Sequence, residues 1–151
     1  MKIAEALILR ADCQKRFAQL KTRLLNNARV QEGDQPAEEP QELIAEIERV
    51  AQELLDLIQR INKTNSSTTV EAGQTVSDLL AERDVIGLRR TAYAELAAGA
   101  SARQDRFTRS EVKFVATVNV AEFQKRADVL AKEYREKDAR IQELNWQTEL
   151  I

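Results

Sequence analysis

The chain contains no histidine, and Cys13 is its one cysteine. Without histidine there is no Ser-His-Asp or Cys-His machinery, no imidazole metal ligand, and no side chain that titrates near pH 7 by default. A single cysteine excludes an intrachain disulfide, and its spacing puts Cys13 on a helix seam as a small apolar side chain. Aromatic residues make up only 5% of the chain, so its core must be built from Leu, Ile, Val and Ala. Two prolines and four glycines in 151 residues leave long stretches with nothing to break a helix. The net charge of −2 creates no field that would recruit nucleic acid or an anionic membrane. No apolar run approaches the roughly 20 residues needed to cross a bilayer. The opening MKIAEALILRAD is interrupted by Glu5 and followed by Arg10 and Asp12, so it reads as a helix and not as a signal peptide. The expectation is a cytoplasmic protein with no membrane association, no cofactor, no metal and no enzymatic activity.

What the chain has is helical periodicity. In Leu43–Ile61, the residues Leu43, Ile47, Val50, Leu54, Leu57 and Ile61 alternate at spacings of four and three. Ile44, Ala51, Leu55 and Ile58 widen this seam into a stripe expected to be buried. A first helix from Lys2 to about Asn27 carries Ile3, Ala6, Cys13, Phe17, Leu20 and Leu24, with Arg10 interrupting the row and Leu7, Ala11, Ala18 and Leu25 beside it. Asn26-Asn27 closes it, since Asn tolerates the left-handed conformation. Pro40 suits the first turn of the second helix, which is expected to end near Asn62. Thr75 caps a third helix whose apolar face is Val76, Leu79, Leu80, Ile86, Tyr93, Ala97 and Ala100. Asn119, followed by Glu122, opens a fourth with Phe123, Ala127, Leu130, Tyr134, Ile141 and Leu144 in its row.

Between the helices the period fails. Arg29–Gln31, Ser67–Glu71 and Val112–Val118 read as short strands, the last being the strongest of the three. Ala72-Gly73-Gln74 reads as a turn. The expected fold is therefore mainly α: four long helices in a bundle, with a minor β element from the inter-helix segments, as a single helical domain over residues 1–151.

Five pieces, NARVQEGDQP (Asn27–Pro36), RINKTN (Arg60–Asn65), LLAERDVI (Leu79–Ile86), RSEVKFVATV (Arg109–Val118) and IQELNWQTEL (Ile141–Leu150), resemble a small bacterial septicolysin-like family. The resemblance runs over essentially the whole chain. It implies a compact α-helical protein and supplies no activity or site residues. The residues read as neither a secretion signal nor a long amphipathic β-hairpin, so membrane lysis is not expected.

Heptad-like spacing on at least three helices points to a homo-oligomeric scaffold or protein-interaction protein, because such seams serve subunits as readily as a monomer's core. The alternative is a nucleic-acid or phosphorylated-ligand binding module. It would use the basic 103–113 segment, where Arg103, Arg106, Arg109 and Lys113 would bind phosphates, although Asp105 and Glu111 are intermixed with them. Asn62 and Asn65, in a polar turn, complete the candidate ligand or anion site. Glu32, Asp34, Glu38, Glu39 and Glu42 form an acidic run that reads as a solvated helix N-terminus, since the ordered calcium-loop spacing is absent.

Overall fold

The computed structural model describes residues 1–101 and 112–151. The fold is mainly α: α1 (Ile3–Asn26), α2 (Pro40–Ser67), a two-stranded hairpin of β1 (Thr69–Glu71) and β2 (Gln74–Thr75), α3 (Val76–Ala100) and α4 (Val120–Gln147). Among the described residues no helix is long and apolar enough to cross a membrane. The chain packs as two compact units, Met1–Val76 with Gln142–Ile151, and Ser77–Ile141.

In the first unit α1 and α2 run antiparallel, as their ion pairs show. Arg23 meets Glu38, and Arg16 reaches Glu46 at 3.1 Å and Glu53 at 3.7 Å. Their seams interlock as the spacing requires. Ile3, Ala6, Cys13 and Leu20 pack with Leu43, Val50, Leu57 and Ile61, and Phe17, Leu24, Ile47 and Leu54 lie against them. The wider stripe expected on α2 is covered only in part: Ala51 and Ile58 are half-buried. Ile44 and Leu55 are exposed, because a two-helix contact covers only the narrow a/d row.

The end of α1 is closed differently from the expectation. Asn27 has φ −106°, outside the left-handed region. Its amide nitrogen donates to the Arg23 carbonyl at 2.9 Å, and its amide oxygen accepts from the Glu38 N–H at 3.0 Å. Arg29–Gln31 is not a strand. It leads into a turn in which Asp34 N–H bonds the Gln31 carbonyl and Gly33 takes φ +90°.

Helix α2 continues past Asn62 to Ser67. Thr64, Ser66 and Thr68 each donate a hydroxyl to the carbonyl four residues back, at 2.8 Å, so polar residues that elsewhere favour turns here hold the helical backbone. Thr64 is fully buried and its hydroxyl oxygen also accepts the Ile151 N–H at 3.0 Å. The C-terminal segment is tied down further by Arg60, which donates to the Ile151 carbonyl at 2.8 Å, and by an antiparallel bridge between Lys2 and Glu149. Ile3 N–H bonds the Thr148 carbonyl and Leu150 N–H bonds the Met1 carbonyl. The β1–β2 hairpin turns on Ala72 and Gly73, both at positive φ (48° and 78°), a two-residue turn of the kind that suits twisted strands.

In the second unit α3 and α4 are again antiparallel. Glu82 pairs with Lys137 at 2.5 Å, Arg83 with Asp138 at 2.9 Å, and the rings of Tyr93 and Phe123 lie 5.5 Å apart. Arg83, which interrupts the apolar face of α3, is thereby accounted for. Burial works against its charge, but hydrogen bonds to Asp84 and Asp138 raise its pKa. Gly87 sits where a Cβ would come within 3.2 Å of the Tyr134 ring, so the interior glycine admits the tyrosine. Asn119 caps α4 by accepting the Glu122 N–H at 3.1 Å. Residues 112–118, expected as the best strand, form no strand. Phe114 and Val115 are adjacent, so a strand would turn them to opposite faces, yet they are 82% and 81% exposed. High β propensity does not by itself make a strand.

Candidate interaction surface

Helix α3 is apolar on two opposite faces. The inner row, Leu79, Ile86, Tyr93 and Ala97, is buried or half-buried. The outer row, Ala81, Val85, Leu88, Ala92 and Leu96, steps by four, three, four and four residues and is exposed throughout. At 100° per residue these five side chains fall within a band less than a quarter of the circumference wide, and the inner row lies on the far side. Leu88 is 71% and Val85 53% exposed. Glu82 and Arg89 border this row on one flank and Asp84 on the other. The sequence reading found the inner row and passed over the outer one. The signal was present, because a second four-three repeat runs out of phase with the first.

The outer row leads towards Leu96, Gly99 and Ala100 at the end of α3, which with Phe114–Val118 enclose a hollow of about 360 Å³. A shallow groove of about 430 Å³ between α3 and α4 has Tyr93 and Leu130 in its wall and mixes Arg89, Lys125 and Arg126 with Glu122 and Glu133. Arg126 is already held by Glu122 at 2.8 Å and lies 5.2 Å from the Phe123 ring centre. Opposite charges facing one another in this way do not converge on one ligand.

In the first unit a groove of about 580 Å³ lies between α1 and the start of α2. Arg23 binds Glu38, and Arg16 and Arg49 converge on Glu46 at 3.1 and 2.6 Å. Hydrogen bonds from Arg23 hold the Glu38 carboxyl below its ordinary pKa, and those from Arg49 and then Arg16 do the same to Glu46. Glu39 caps α2 through the Gln41 N–H at 3.4 Å. Two of the five residues of the acidic run expected to be solvated, Glu38 and Glu39, are thus engaged with an arginine or with a helix end.

The ligand-site residues expected from sequence fall in different places. Arg103, Arg106 and Arg109 lie outside the described residues. Lys113 is exposed on the extended segment of the second unit. Asn62 and Asn65 belong to the first unit, within the helical end of α2 and not in a turn. The Asn62 carbonyl accepts from the Ser66 hydroxyl, and among the described residues the Asn65 side-chain oxygen is buried with no hydrogen-bond partner.

These features define a mainly α protein of antiparallel helix pairs whose distinguishing surface is an uncovered apolar helix face. Residues 10–150 match the model of DUF6847, a family of unknown function, and the chain belongs to that family. No curated protein matches it. A crystal structure described as a functionally unknown conserved protein from Corynebacterium diphtheriae is 50% identical, with a TM-score of 0.94 over 100% of this chain and 99% of that one.

Proposed function

We propose that this protein is a homo-oligomeric helical scaffold or protein-interaction protein with no catalytic role, acting in the cytoplasm. The observation that carries the reading is the outer row of α3. One neighbour satisfies a helix with one apolar face, and a helix with two such faces needs a second neighbour. Here α4 covers the inner row, while Val85, Leu88 and Leu96 face solvent. The septicolysin-like resemblance implies a compact helical protein, and the proposal draws nothing more from it.

The test is Leu88→Glu. The substitution is on the surface, so helicity by circular dichroism should be unchanged, while the mass in solution should fall to that of one chain. A variant that keeps the wild-type mass would refute the reading.

A second reading, binding of nucleic acid or a phosphorylated ligand through the basic 103–113 segment, is favoured by one observation. Lys113 and Phe114 stand side by side and exposed, a cation next to a ring on which a base would stack. The net charge of −2 opposes it. Excess absorbance at 260 nm in the purified protein would bring it forward.

A further inference from the structure

We infer that the segment Lys113–Val118 is a pairing strand, completed by the same segment of a second copy laid antiparallel about a two-fold axis at Val115. This inference rests on the self-association proposed above and adds a second contact to it. The composition of residues 112–118 is that of a strand, since four of the seven are β-branched and none is Gly, Pro or acidic. No residue of the segment has a positive φ, and residues 112–116 belong to no helix, strand or turn. Among the described residues Lys113 to Val118 make no hydrogen bond, so their main-chain N–H and C=O groups are open to a partner. Phe114 and Val115 are exposed beside them. Bare backbone groups flanked by uncovered apolar side chains are matched by another extended edge, which takes the hydrogen bonds and covers one face.

The segment is its own complement. Along a strand Val112, Phe114, Ala116 and Val118 share one face, and Lys113, Val115 and Thr117 share the other. Antiparallel pairing about Val115 sets Val112 beside Val118, Phe114 beside Ala116, Lys113 beside Thr117, and Val115 beside its counterpart. The first face is then apolar throughout in both copies, with a large ring against a small methyl. A slip of one residue would set Lys113 beside Ala116 and Thr117 beside Val112, leaving neither face wholly apolar. The one charge in the segment decides the direction. Parallel pairing in register would place Lys113 against Lys113, whereas the antiparallel arrangement gives each Lys113 a threonine. A two-stranded ribbon is marginal by itself and gains from packing on a helix. The hollow of about 360 Å³ that Leu96, Gly99 and Ala100 form with Phe114–Val118 supplies small and apolar residues for that packing.

Engineered cysteines test the pairing. In a Cys13→Ala background, Val115→Cys, Lys113→Cys and Thr117→Cys are oxidised separately, the last two also as an equal mixture, and the products are read on a non-reducing gel. Residues on the two-fold axis face each other about 5 Å apart, so Val115→Cys should cross-link alone. The two Lys113 positions are offset by four residues, about 14 Å along the strand, beyond the roughly 7 Å that a disulfide spans between Cα atoms. Lys113→Cys and Thr117→Cys should therefore each fail to cross-link alone, and their mixture should give a disulfide dimer. Cross-linking of Lys113→Cys as readily as Val115→Cys would show parallel pairing or chance encounter and overturn the inference. A Val115→Cys protein that does not cross-link, although light scattering finds it dimeric, would overturn this pairing and leave self-association standing. A monomer in light scattering would overturn both. A second measurement does not use cysteines: Val115→Lys brings two lysines face to face and should weaken association several-fold, with helicity by circular dichroism unchanged. Association that is undiminished in this variant also counts against the pairing.

Discussion

Ala72 holds a backbone conformation, φ 48°, that costs a residue with a Cβ roughly 1–2 kcal/mol. Asn tolerates this region better, and Asn-Gly is the preferred pair for such a turn. Ala72→Asn should therefore raise stability by about 0.5–1 kcal/mol in urea unfolding. Gly73→Ala, at φ 78°, should lower it by about 1 kcal/mol. If both variants matched wild type, the turn would not be formed as described. Glu38 gives a second expectation. Its pKa is lowered in the folded chain because Arg23 hydrogen-bonds the carboxylate, so folding favours the ionised form. The stabilisation is present above the unfolded-state pKa, about 4.3 for a glutamate, and is lost as the pH falls through the lower folded value. The pair is exposed, so the effect is small and weakened by salt. Titration by NMR should place Glu38 below ordinary glutamates, and Arg23→Gln should return it to their range. An unmoved titration would show that the pair does not persist in solution. Cys13 moves the other way: burial pushes its thiol pKa up, and the nearby charge of Glu53 adds to this.

The helices were legible because their buried rows are strict. Every residue placed in the α1 and α2 seams, from Ile3 to Ile61, belongs to or packs against one core. Three features were not legible, and each depends on contacts that local pattern does not carry. The last turn of α2 survives because Thr64 is buried against the Ile151 backbone, 87 residues away in sequence. Val112–Val118 has strand composition, yet residues 112–118 form no strand, because β propensity alone is a weak guide. The exposure of Ile44 and Leu55 depends on how many neighbours a helix has, which its own periodicity does not state. The basic candidate site was read from charge density alone, and of its cationic side chains only Lys113 falls among the described residues. The seam itself supplies a test. Val50 is fully buried at its centre, so Val50→Ala should cost roughly 1.5–3 kcal/mol in urea unfolding. Leu55→Ala, on the exposed flank of the same helix, should cost less than about 0.5 kcal/mol. Equal losses at the two positions would contradict the narrow-seam description.

Taken whole, the protein belongs to a family of unknown function, and the outer row of α3 is an exposed apolar stripe on its surface. The polar grooves contain charges that already pair with one another, such as Arg16 with Glu46 and Arg126 with Glu122. Among the described residues the apolar outer row of α3 is instead exposed at every position. That contrast is why self-association, and not ligand capture, is the reading preferred for the molecule. It is tested most directly by the mass of the native protein in solution, measured by size-exclusion chromatography with light scattering. The account predicts a protein-only peak at twice 17.1 kDa. A peak at 17.1 kDa that persists as the protein is concentrated would contradict it.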